Sequence, residues 1–247
     1  MRLSITASSR TGCVRKNNED MILVDKWFVR NCSKTVRKDL KTVDRYLVAL
    51  ADGMGGHNSG EVASSDVLHN LQYFFTDIPV NLSIVDYNEV IYEWLSSINI
   101  IIDSKGKSDE RFSKMGTTLV AFVFYGDHFF WMNCGDSRIY RLHDGKLKQL
   151  STDHSLSNLL GEKGHSNIIT NCIGGGCKNS FIDIVECSVD VMSGDVFLLC
   201  SDGLSDLLTD EQIAAYLQDD SSASTLCSAA EENGGYDNVS AAVIRVI

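Results

Sequence analysis

The chain has 247 residues, 44% of them apolar and 22% charged, and a net charge of −11 at pH 7. These values fit a single globular domain over 1–247, and the acidic field disfavours nucleic acid and anionic membrane surfaces as partners. The eight cysteines form no Cys-x-x-Cys pair, so they are expected to stay as thiols in a cytoplasmic protein; Cys172 and Cys177 lack the further Cys/His pair that a zinc site needs.

In chain order, Leu3 to Ser9 predicts an opening strand, and Gly12 starts a turn that leads through Arg15, Glu19 and Asp20 to a strand at Met21–Val24, extended by Trp27–Val29. The start of the chain lacks the apolar stretch of a signal peptide, and no run is long enough to span a membrane. Asn31 to Asp44 is polar, with Lys34, Arg37, Lys38 and Lys41, and reads as a long solvated hairpin loop. Leu47–Ala51 is a short apolar run that stops at Asp52, followed by Gly53, Gly55, Gly56 and His57. It predicts a buried strand leaving the core through a turn whose glycines allow positive φ and close approach. Ser59 is placed to cap a helix carrying Val67, Leu68, Leu71, Phe74 and Phe75 on one face. Pro79 breaks it, and Asn88 is placed to cap a second helix with a stripe from Val90 to Ile102. From Thr117 the pattern becomes β: Thr117–Phe124, Phe129–Cys134, Ser137–Leu142 and Lys146–Leu150, the last pair joined by Asp144-Gly145, a type I′ turn signal. Residues 153–176 read as a short surface flap. Strands follow at Phe181–Val189 and Val196–Cys200. A Thr209/Gln212 capping box opens a helix over Glu211–Leu217, Ser224 caps another to Glu232, and Val239–Ile247 closes the chain as a strand. Strands at both ends with helices between predict an α+β domain of layered antiparallel sheets.

Five places share one design, a carboxylate where a strand begins or ends: Glu19-Asp20, Asp52-Gly53, Gly135-Asp136-Ser137, Asp202-Gly203 and Asp237-Asn238. Each alone is what an ordinary turn would use. Gathered by sheet pairing, they would repel one another unless cations compensate. Carboxylates without His or Cys select Mg²⁺ or Mn²⁺, and two such ions about 4 Å apart can lower the pKa of a shared water for attack on phosphorus. Arg15 has the planar fork that grips two phosphate oxygens.

Arg15-x-x-x-Glu19-Asp20, Asp52-Gly53-Met54-Gly55-Gly56, Met115-Gly116-Thr117-Thr118, Gly135-Asp136-Ser137-Arg138, Ser201-Asp202-Gly203-Leu204 and Asp237-Asn238 stand in the order seen in the metal-dependent Ser/Thr protein phosphatases (PPM) of the protein phosphatase 2C type. The chain resembles that family over nearly its whole length, and its Met-Gly-Gly form resembles the bacterial branch. The resemblance implies a four-layer sandwich, two central antiparallel β-sheets flanked by helices, with metals at one end. It implies that Asp52 bridges two Mn²⁺ or Mg²⁺ ions. Asp202 and Asp237 complete the first; Glu19 and the Gly53 carbonyl complete the second, with Asp20 orienting its water. Asp136 and Asp202 share a third ion, and Arg15 binds phosphate. Met54 stands where eukaryotic members often have a histidine proposed as the acid for the leaving alkoxide; His57 is the nearest substitute. In the flap, His165, Asn167, Ile169 and Thr170 fit the family rhythm, but Asn171 stands where arginine is common.

The function this implies is hydrolysis of phosphoserine and phosphothreonine in proteins, with phosphorylated proteins made by a bacterial Ser/Thr kinase as partners and a monomeric chain. The alternatives are a catalytically silent phosphoprotein-binding module on the same fold and a two-metal phosphodiesterase. No metal acid is missing, which argues against the first. No basic stripe is present, which argues against the second.

Overall fold

Along Tyr46–Ala51, Leu47, Ala49 and Ala51 face one apolar cluster, and Tyr46, Val48 and Leu50 face another; all six are buried. A strand buried on both faces needs a layer on each side, and the molecule is built outward from that requirement. The computed structural model describes residues 1–55, 59–161 and 168–247. Its strands are β1 (Arg2–Arg10), β2 (Met21–Val24), β3 (Trp27–Val29), β4 (Cys32–Asp39), β5 (Arg45–Ala51), β6 (Gly53–Met54), β7 (Gly116–Thr117), β8 (Leu119–Tyr125), β9 (His128–Cys134), β10 (Arg138–His143), β11 (Lys146–Gln149), β12 (Ile173–Gly174), β13 (Asp183–Glu186), β14 (Val196–Cys200) and β15 (Val239–Val246). Its helices are α1 (Ser59–Asp77), α2 (Ile84–Ser108), α3 (Leu156–Leu160), α4 (Asp202–Ser205), α5 (Asp210–Gln218) and α6 (Ala223–Glu232).

Two six-stranded antiparallel sheets form, in the orders β11-β10-β14-β15-β1-β4 and β13-β9-β8-β5-β2-β3. Between them lies a cluster that includes Ile5, Val48, Phe122, Phe197 and Ile244. The second sheet's other face packs on α1 and α2 through Leu23, Leu68, Ile91 and Ile98. The first sheet's other face packs on α5 and α6 through Leu198, Ile213, Leu226 and Val243. The four expected layers are therefore present.

Three expectations are corrected. The segment expected as a solvated loop, Asn31 to Asp44, contains β4, paired to β1 with Ile5 opposite Val36. It reads as polar because it is an edge strand, and its lysines lie over rings, Lys34 over Trp27 at 3.7 Å and Lys38 over Tyr46 at 5.8 Å. Such charges also discourage further strand pairing. The cap of α2 is Ser83, which accepts the Asp86 N–H at 3.1 Å; Asn88 lies inside the helix. The cap of α6 is Ser222 and not Ser224. The Thr209/Gln212 capping box is formed, and Asp144 and Gly145 both take positive φ, +46° and +74°, as a type I′ turn requires.

Register then assembles the acids. Met21 pairs with Ala51, so Asp20 before β2 meets Asp52 after β5. Cys200 pairs with both Arg138 and Ala241, so Asp202 after β14 lies between the Gly135-Asp136-Ser137 turn and Asp237-Asn238. All these strand ends lie at one end of the sandwich.

Candidate metal centre

Asp20 is wholly buried. Ser201 donates to its Oδ2 at 2.8 Å, and Oδ1 has no hydrogen-bond partner among the described residues. Burial first, then the Asp202 and Asp237 carboxylates, push its carboxyl up to about 7, although the Ser201 and Ser240 hydroxyls oppose the shift. Asp52 is raised well above the usual carboxylate range by burial and by Asp20, Asp202, Asp136 and Asp237. Asp202 is raised to about 6 by burial and by Asp237 and Asp206. Glu19 is raised too, chiefly by burial, while Arg15 and the Gly60 N–H at the start of α1 pull it down. Each acid makes the next harder to ionise, which is the signature of a centre short of positive charge.

Backbone packing fixes this arrangement. A Cβ on Gly53 would stand 2.1 Å from the Gly60 carbonyl oxygen and 2.7 Å from that of Glu19. Gly53 is therefore required for close approach; it is not among the positive-φ residues, as the sequence had suggested, whereas Gly55 is, at +134°. Asn238 accepts the Glu19 N–H at 2.8 Å and donates to the Thr11 and Asn17 carbonyls, tying the loop before β2 to the start of β15.

Arg30 and Ser64 do the same from the other side, and sequence reasoning missed both. The Arg30 guanidinium donates from Nε to the Asp20 carbonyl at 2.8 Å and from its terminal nitrogens to Glu61 and Ser64; Ser64 in turn donates to the Glu19 carbonyl. Burial lowers the Arg30 pKa against the pull of Glu61, Asp20 and Glu19. The only signal in the sequence is an arginine just after a β-hairpin strand, which most proteins place in solvent.

Arg15 sits at this centre but does not point into open solvent: its guanidinium donates to Asp237 Oδ2 at 2.6 Å, with 55% of its side chain exposed. Asp136 is 5% exposed, in a turn where Gly135 (φ +122°) packs on Thr118. Asn171, expected in the place of a substrate-contacting arginine, is buried and bonds His154 and the Phe181 backbone. Met54 is on β6, which β7 joins to β12 in a three-stranded ribbon. His57, the candidate acid, and His165 and Asn167 of the flap lie outside the described residues.

Among the described residues no three acidic, imidazole or thiolate side chains close into a ready-made cage. Asp237 is turned to Arg15 and to the Asn238 N–H, and Asp20 to Ser201. An open set of carboxylates and one backbone carbonyl still fits hard cations that keep several waters, as Mg²⁺ and Mn²⁺ do. The spare Asp20 oxygen and the mutual repulsion point the same way.

Two antiparallel sheets between helices, with oxygen donors collected at one end, define the class: an α+β domain organised around an acidic centre. The chain belongs to the protein phosphatase 2C family, whose sequence model matches residues 36–238. It is 32% identical to the serine/threonine protein phosphatase PstP of Mycobacterium tuberculosis over 99% of this chain, but it spans only 45% of that protein. It is 29% identical to the protein phosphatase PhpP of Streptococcus pneumoniae, over 99% of this chain and 98% of that one. The solved serine/threonine phosphatase of S. agalactiae superposes with a TM-score of 0.84 at 28% identity, covering 99% of this chain and 100% of that one. The catalytic domain of PstP, solved with two manganese ions, gives 0.75 at 32% identity with complete coverage of both chains.

Proposed function

We propose that the protein is a metal-dependent protein-serine/threonine phosphatase that hydrolyses phosphoserine and phosphothreonine with water, without a phosphoenzyme. The observation that carries this reading is the meeting of Asp20, Asp52, Asp202 and Asp237 at one end of the sandwich, each of the first three raised by burial and then by its neighbours. Asp52, Asp202 and Asp237 would hold one Mn²⁺ or Mg²⁺; Asp52, Glu19 and the Gly53 carbonyl a second; Asp136 and Asp202 a weaker third. When bound, the ions supply a water of lowered pKa and positive charge facing the phosphate.

The chain's own residues do the rest. Asp20, pinned by Ser201, would orient water at the second position. Asn238, Arg30 and Ser64 hold the Glu19-Asp20 backbone so that both acids keep their places. Arg15 exchanges Asp237 for the substrate phosphate, a move its exposed side chain permits. His57 is the proposed donor to the departing alkoxide.

The substrates are phosphorylated proteins, counterparts of a bacterial Ser/Thr kinase, and the chain acts as a monomer in the cytoplasm. All eight cysteines are free, and among the described residues no helix is long and apolar enough to cross a membrane. The two manganese ions in the PstP structure support Mn²⁺. The test is hydrolysis of a phosphothreonine peptide with Mn²⁺, with Mn²⁺ plus EDTA, and of single-stranded DNA with Mn²⁺. Turnover of the peptide alone, abolished by EDTA, is expected; cleavage of DNA, or full peptide turnover in EDTA, would sink the proposal.

A further inference from the structure

At the end of β10 and β14 remote from the acids, the two sheets part at their β11 and β13 edges and leave a cavity of about 590 Å³. Its apolar walls face one another: Trp131 and Val185 from one sheet, Phe197 and Leu150 from the other. Among the described residues the rest of the inter-sheet layer is mostly apolar core. Here the same face of the first sheet carries Arg141, His143, Lys146 and Lys148. Register sets Arg141 opposite Lys148 and His143 opposite Lys146. Basic groups directly across an antiparallel pair destabilise it.

The protein compensates only half of this cluster. Asp195, buried, takes Arg141 Nε at 3.0 Å and His143 Nδ1 at 2.6 Å, and Asp144 stands 3.4 Å from His143 Nε2. Lys146 and Lys148 are exposed and have no ion pair among the described residues. Asp144 and Asp190 also line the slot, but neither pairs with Lys146 or Lys148 among the described residues, so two lysines without a direct partner stand at the edge of an apolar slot, and such breaks in pattern concentrate at binding sites.

We propose that this slot binds a small planar aromatic anion, its ring against Trp131 and Val185 above the buried Phe197, and its acid group on Lys146 and Lys148. The volume lies within the roughly 300–1,000 Å³ of small-molecule pockets, whose lining is apolar with a few placed polar groups. Sheets packed about 10 Å apart leave room for a flat body and little else. Asp136 and Arg141 are five positions apart on one strand path, roughly 17 Å by strand rise, so the slot is separate from the metal centre.

The probe is 8-anilinonaphthalene-1-sulfonate, titrated by calorimetry into the full chain, beside the uncharged N-phenyl-1-naphthylamine. Expected are one saturable site for the sulfonate and weaker binding of the neutral ring. The double variant Lys146→Glu/Lys148→Glu should lose at least about tenfold in affinity, as forfeiting a charge-assisted contact predicts, while Lys107→Glu on α2 changes nothing. Val185→Trp, which fills the slot, should abolish binding. Both lysines are exposed, so the double variant should keep its melting temperature and decide the matter even if Val185→Trp does not fold. No saturable site, equal affinity in the double variant, or equal affinity for the neutral ring would overturn the proposal.

Discussion

Asp52 touches every part of the proposed chemistry, because four other carboxylates act on it. Replacing it by asparagine keeps the shape and removes the charge that would bridge two cations. Asp52→Asn is therefore expected to cost at least about 10²-fold in kcat, the upper range for losing support of a metal ligand. Steady-state kinetics over a Mn²⁺ series checks this; a variant rescued to wild-type kcat by excess Mn²⁺ would reduce Asp52 to a site of affinity alone. Arg15 has two partners to choose between. If it leaves Asp237 for phosphate, Arg15→Ala should raise KM with little change in kcat, worth roughly 1.5–3 kcal/mol for a charge-assisted hydrogen bond. If it only holds Asp237, the same variant should leave the phosphopeptide KM alone and change the Mn²⁺ requirement. Measuring both constants separates the two roles.

The short strand β6 shows what an element can hide from sequence. Asp52-Gly53 stood out as a candidate site because a buried strand ended at a carboxylate beside glycine. Why glycine was required was not legible, since the answer is the carbonyl of Gly60 on α1, a contact made only after folding. The long central strands were easy for the opposite reason: from Leu47 to Ala51 β5 is covered on both faces, so that stretch is apolar without interruption. On β4 most residues are exposed or half-buried, and a half-buried edge strand with lysines reads as a loop. Caps at Ser83 and Ser222 were misplaced because several polar residues near each helix start compete for that role, and the winner is set by where the helix docks. Gly53→Ala tests the packing argument. Forcing a methyl into that space should destabilise the fold by about 1–3 kcal/mol, the usual cost of overpacking. It should also weaken Mn²⁺ binding, since the Gly53 carbonyl and the Glu19 backbone must move apart. Calorimetric Mn²⁺ titration beside thermal unfolding checks this; unchanged Mn²⁺ affinity would show that the β6–α1 contact does not shape the centre.

Across the whole molecule, the gathered acids make stability depend on pH in an unusual direction. Asp20 and Asp202 have folded carboxyls raised to about 7 and about 6, against an ordinary value of 3.8, and Asp52 too is raised well above that value by burial and its neighbours. A carboxyl raised in the folded state binds its proton more tightly there than in the unfolded chain. Its contribution to stability is full below about pH 4 and is lost as pH rises through the folded value. Asp109, held down to about 2 by Arg111, works in the opposite sense, but only at lower pH. In EDTA, the melting temperature should therefore fall between pH 5 and pH 7.5. With saturating Mn²⁺ the same acids are ionised and compensated, so the fall should vanish, because cation binding to the folded form alone adds stability and displaces protons. The gap between the two melting curves should widen by at least about 4 °C over this window, corresponding to one or two kcal/mol for a chain of this size. Taking the difference between the two curves isolates the part of the pH dependence that Mn²⁺ removes. Differential scanning calorimetry at pH 5.0, 6.0, 7.0 and 7.5 measures it. A gap constant with pH would mean that these carboxyls are already ionised without cations, and that the crowding at the end of the sandwich is relieved by something other than protons.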